Sequence, residues 1–187
     1  STTAHRAGVI GQLGTSTADR FAIYVDSFET PTFGPAWSFY ESTSSGRILT
    51  TTSYNTGTGI GTGHDGANSM AMDVFPSPAD LTLNEAVWAV NLAGLNEPRL
   101  SFAHRNIGDE LHGMPVSFTG HANGDGVAIS DDGIRWFTVT TTNAVTIGSS
   151  TITALPSGNL SPWSLREIDL VAAAQAAAAT TTFGGSF

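Results

Sequence analysis

The chain has 187 residues, enough for one domain with a real core, and a formal net charge of -9. All seven basic residues are arginine and they are scattered, so no basic stripe exists to neutralise nucleic-acid phosphates or to seek an anionic membrane. The absence of cysteine excludes disulfide staples and thiolate metal sites, and no apolar run is long enough for a transmembrane helix.

Glycine and threonine are abundant and only 12% of residues are charged, the texture of short strands joined by turns. The start, Ser1-Thr2-Thr3-Ala4-His5-Arg6, lacks the apolar stretch of a signal peptide. Residues 1–20 carry little pattern and read as a linker or the tail of a preceding module; residues 21–187 read as one β-sandwich module. Strand signals begin at Phe21-Ala22-Ile23-Tyr24-Val25, and Pro31, Gly34 and Pro35 then break the chain. Trp37–Tyr40 and Arg47–Thr51 are the next strand candidates.

Gly57–Gly66 is a glycine-rich loop. Gly61-Thr62-Gly63-His64-Asp65-Gly66 fits a dinucleotide fingerprint by spelling alone, because a helix should open after such a motif. A period-2 strand follows instead, with Met70, Met72 and Val74 on one side. Leu81–Leu83, Val87–Val90 and Leu100–His104 continue the series. The strongest local signal is a hairpin. Val127–Ser130 leads into Asp131-Asp132-Gly133, and Ile134–Val139 returns, with Asp-Gly supplying the positive φ of a tight turn. Ala172–Ala179 is almost pure alanine, the best helix former, so one short helix belongs here. Thr180–Phe187 reads as the start of another strand. Many short strands with turn residues between them, and no βαβ alternation, give an all-β fold: a two-sheet jelly-roll sandwich with at most one short helix.

Four segments carry a resemblance: Asp26-Ser27-Phe28-Glu29, Asn68–Asp73, Leu100–His104 with Gly108–His112, and Gly124–Trp136. The chain resembles the MAM-like, concanavalin-A-like modules of very large extracellular bacterial proteins. The likeness implies a non-catalytic sandwich in secreted adhesion or cell-surface proteins, with other modules of the same protein, or glycans, as partners. Calcium is implied near the Phe28-Glu29 strand and a facing acidic loop. In such modules a final strand pair follows the position of Phe187, so the likeness also implies missing closing strands and an open, adhesive sheet edge.

Asp109 and Glu110, adjacent in a loop, supply the hard oxygen ligands calcium wants, with Asp125 or Glu29 completing the shell; a solvated acidic loop is the plain alternative. His112 lacks a second histidine at zinc-ligand spacing. Asp131 and Asp132 are explained by the hairpin. The run Ser130–Trp136 is similar to a sialidase Asp box but one residue short, and such a box is structural. Asp73, Glu85, Asp109, Glu110 and Asp125 could furnish the two carboxylates of a polysaccharide-active enzyme, yet nothing in the sequence marks one as acid and another as nucleophile. Among Trp37, Tyr40, Tyr54, Trp88, Trp136 and Trp163, strand patterning assigns Trp88 and Trp136 to the core, which leaves Tyr54 as the best exposed ring for stacking on a sugar.

Overall fold

The computed structural model describes residues 3–11, 23–52, 63–75, 81–93, 95, 97–107, 112–141, 145–147, 150–152, 154–155 and 161–180. Its main sheet has six strands. In sheet order they are β2 (Trp37–Glu41), β5 (Thr82–Val90), β1 (Thr3–Gly11), β8 (Gly126–Ser130), β9 (Arg135–Thr141) and β7 (Ser117–Thr119). Three two-stranded pairs accompany it: β3 (Gly46–Thr51) with β4 (Ser69–Val74), β6 (Arg99–His104) with β12 (Ser164–Asp169), and β10 (Val145–Ile147) with β11 (Ser150–Ile152).

Two layers result. Val127 and Ile129 of β8 and Phe137 and Val139 of β9 pack against Ile168 of β12, Leu100 and Phe102 of β6, and one face of α1 (Leu170–Thr180). The β3–β4 pair meets the first half of β5. There the Asn84 side-chain amide donates to the Asp73 carbonyl at 2.8 Å. A Cβ on Gly46 would stand 2.5 Å from Asn84 Oδ1 and 2.6 Å from Thr82 Oγ1, so a larger residue here would have to displace both side chains. The all-β sandwich read from sequence is therefore present. Its jelly-roll winding is not established by these sheets.

The helix falls where alanine predicts it. Asp169 caps it, its carboxylate accepting from the Ala172 amide at 3.0 Å. Ala173 and Ala177 lie one turn apart and are fully buried, so small side chains let the helix settle close on the core. The hairpin also forms. Gly133 has φ 73°, and the Asp132 carboxylate accepts from the amides of Ile134 and Arg135, both at 2.8 Å, and from Arg135 Nε at 2.7 Å. Partial burial works to raise the Asp132 pKa, but those hydrogen bonds, with one from Ser130, outweigh it and hold the carboxyl well below its usual range.

Three stretches depart from the sequence reading. Residues 1–20, read as linker or tail, contain β1, which lies at the centre of the sheet and runs parallel to both β5 and β8. Ile23-Tyr24-Val25, read as a strand, is irregular. Its apolar side chains stand in solvent, and the Tyr24 hydroxyl donates to the Asn91 carbonyl at 2.8 Å. Leu81–Leu83 and Val87–Val90 read apart in the sequence, but Thr82–Val90 is the single strand β5, whose middle carries the buried Asn84 and Glu85.

His104, at the end of β6, has its Nδ1 buried without a hydrogen-bond partner among the described residues. Burial, with the nearby positive charge of Arg166 adding to it, pushes its pKa down to about 4. The neutral imidazole is the folded form, so the unfolded chain takes the proton first. Stability from this group is full above about pH 6.5, falls as pH drops towards 4, and changes no further below that. The loss expected across that window is about 2–3 kcal/mol. His104→Gln should flatten this slope in urea titrations run at pH 7 and pH 4.5; an unchanged slope would show that His104 is not its source.

Candidate functional site

The outer edge of the main sheet concentrates aromatic side chains. β2 is an edge strand, and the alternation of a strand sends Trp37 and Phe39 to one face and Tyr40 to the other. On the first face Trp37 lies parallel to its cross-strand partner Trp88, with ring centroids 5.5 Å apart, and parallel to Phe39 at 6.3 Å. Phe33 closes on Phe39 at 4.5 Å, and Phe28 on Trp37 at 5.7 Å. One carboxylate organises the group: Asp26 accepts from Trp37 Nε1 at 2.7 Å and from the Phe28 amide at 2.8 Å. The second bond holds Phe28 at φ 58°, a left-handed conformation that a bulky residue keeps only when its surroundings impose it. Phe39 remains 40% exposed.

On the opposite face Tyr40 sits across from Glu85 in register. Glu85 is 1% exposed, and its Oε2 lies 2.6 Å from Nδ1 of His121. This contact fixes the orientation of the imidazole and leaves Nε2 as its second hydrogen-bonding position. The imidazole stacks on Tyr40, with centroids 3.7 Å apart and planes 11° off parallel. His121 follows closely on β7, within the segment 112–125 that is tied to β9. Met114 of that segment packs on Ala128 and Trp136, and the Met114 amide donates to Thr141 Oγ1 at 2.9 Å. Gly120, at φ 69°, makes the turn just before His121. The sheet edge thus carries aromatic rings on both faces and one buried carboxylate fixing an imidazole beside them. That is chemistry for gripping a ligand with both apolar and hydroxyl surfaces.

The residues singled out from sequence are distributed differently. Glu29 clamps the 63–68 loop, its carboxylate accepting from the amides of Asn68 at 2.9 Å and Ala67 at 3.2 Å. Asp125 is buried and accepts from the His112 amide at 2.6 Å, while its carbonyl accepts from Thr141 Oγ1 at 2.6 Å. Asp73 receives Arg47, through Nε at 2.7 Å and through Nη2. These carboxylates serve loops and layers. Among the described residues no group of three or more His, Cys, Asp or Glu gathers to hold a metal ion. Asp109, Glu110 and Tyr54 lie outside the described residues.

The glycine-rich stretch leads into β4 rather than a helix. His64 within it approaches the Trp163 ring edge-on at 5.9 Å, with the Arg105 guanidinium 4.8 Å from the same ring. Trp136 is buried as expected, whereas Trp88 is only partly buried within the edge cluster. Sequence reasoning weighed Glu85 and Tyr40 singly and did not bring them together. The signal was a charged residue at mid-strand between two apolar runs.

No family model, curated protein or solved structure matches this chain. The class defined by its fold is an all-β sandwich, and among the described residues no helix is long and apolar enough to cross a membrane.

Proposed function

We propose that the chain is a non-catalytic binding module of an extracellular bacterial surface protein, making its contacts through the aromatic edge around β2. The observation that carries this reading is the half-exposed cluster of Phe28, Phe33, Trp37, Phe39 and Trp88, preorganised by Asp26. A module that only spaced its neighbours would have no use for such a surface. The described carboxylates support the same reading, since Asp26, Glu29, Asp73, Asp125 and Asp132 each satisfy structural hydrogen bonds.

A carbohydrate-binding role is the second reading, and the Tyr40–His121–Glu85 set on the other face of β2 favours it. Aromatic rings stack on sugar C–H groups, and an imidazole fixed by a carboxylate offers a hydrogen-bonding edge beside them. A glycan array and a cell-adhesion assay with the wild-type chain and Phe39→Ala/Tyr40→Ala separate the two. Glycan binding that drops at least about tenfold in the double variant, a loss of about 1.4 kcal/mol, supports the sugar reading. Adhesion lost without any glycan signal supports a protein partner. If neither assay responds to removing both rings, the edge is not the contact surface.

Calcium enters this proposal through Asp109 and Glu110, because the described carboxylates do not by themselves supply its oxygen shell. Binding to the folded state alone would raise the melting temperature with calcium concentration. Asp109→Asn/Glu110→Gln should abolish that rise. A melting curve indifferent to calcium and chelator would remove the ion from the proposal.

A further inference from the structure

Among the described residues, β1 pairs in parallel on both sides, with β5 and with β8. The other contacts between named strands are antiparallel. Without β1 the main sheet consists of two separately built parts, β2–β5 and β8–β9–β7. The two strands facing each other across that seam, β5 and β8, run in the same direction. Each would show the other a row of unpaired amides and carbonyls, which is an acceptor for one extended strand.

The seam is selective in register. Ala7 pairs with Ala86 and Val127, and Val9 with Trp88 and Ile129. Arg6 stands level with Glu85 and Gly126. A one-residue slip would exchange these matches, so the seam specifies this segment in this frame.

Residues 12–22, eleven in number, connect β1 to the rest of the fold. Gly11 pairs with Val90 at the end of β5, and Tyr24 hydrogen-bonds the Asn91 carbonyl next to it. The flanks of residues 12–22 are thus held at the same end of one strand, although a chain of that length reaches up to about 36 Å. A span of that length is enough for β1 of one copy to reach the seam of another.

We infer that the seam between β5 and β8 is a donor-strand site that also accepts β1 from a second copy of this chain, giving a reciprocal, strand-exchanged dimer. Each seam in that dimer repeats the pairing made within one chain, so concentration decides the balance. This inference stands independently of the ligand proposed for the β2 edge.

The absence of cysteine makes the test clean. Single variants Ala7→Cys and Val127→Cys, unfolded together, refolded at high concentration and oxidised, should yield a cross-chain disulfide as the main linked product. Directly opposed strand residues lie within disulfide reach. Ala7→Cys mixed with the out-of-register Ser130→Cys should give only a trace. The double variant Ala7→Cys/Val127→Cys refolded dilute should close within one chain, which checks that both thiols are tolerated and that β1 occupies the seam. Light scattering on the refolded wild-type chain should show a dimer fraction rising with protein concentration. A wild-type chain that stays monomeric throughout, or in-register and out-of-register mixtures that cross-link alike, would overturn the inference.

Discussion

Val9→Pro should be among the most damaging single substitutions in the chain, lowering stability by on the order of 2–4 kcal/mol. The reason is position. Val9 lies within β1, level with Trp88 on one side and Ile129 on the other. Proline has no amide hydrogen to give to a ladder, and in a central strand neither flank opens to water that could replace the lost bond. The seam that β1 fills joins the two parts of the main sheet, so the damage extends to β5 and β8. Val9→Ala provides the control, because it trims the side chain and leaves every backbone bond in place. Urea denaturation of both variants measures the difference. If proline costs no more than alanine, β1 does not hold the sheet together.

The same strand shows where reading a sequence stops. Thr3–Gly11 alternates poorly, and two of its nine residues are glycine. A strand of this kind owes its place to neighbours that are distant in sequence, and local propensity does not report them. The hairpin from Gly126 to Thr141 was legible because its turn chemistry is local: Gly133 supplies the positive φ, and Asp132 bonds to the residues beside it. The helix was legible for the same reason. β5 was read as two pieces because Asn84 and Glu85 interrupt its apolar run, and the groups that meet them lie elsewhere in the chain: the Asn84 amide donates to the Asp73 carbonyl, and Glu85 Oε2 lies 2.6 Å from His121 Nδ1. Ile23-Tyr24-Val25 shows the converse, β-forming residues that belong to no strand. The candidate site follows the same rule. Its aromatic residues were visible, but the meeting of Tyr40, Glu85 and His121 depends on β2 pairing with β5 and on a loop returning from the far edge of the sheet.

That loop is held down mainly by one side chain, and Trp136→Ala should cost about 3–5 kcal/mol. Trp136 is 2% exposed, packs with Met114 and Ala128, and lies nearly parallel to Phe118 at 6.4 Å. Around it the segment before β7 is stitched to β9. The Thr138 amide donates to the Val116 carbonyl at 2.9 Å, and Thr138 Oγ1 donates to the Pro115 carbonyl at 2.6 Å. Removing the indole leaves a cavity beneath those bonds, and the cavity adds to the lost transfer energy. The consequence should reach the site, because the segment that Trp136 supports also carries His121 to Glu85. Trp136→Phe keeps most of the volume and should cost less than half as much. Guanidinium titration gives the stabilities, and the imidazole proton signals of His121 report whether the ring still stacks on Tyr40. Should Trp136→Ala lose less than about 1 kcal/mol, or leave the His121 signals unmoved, the outer-face cluster is not what positions the histidine.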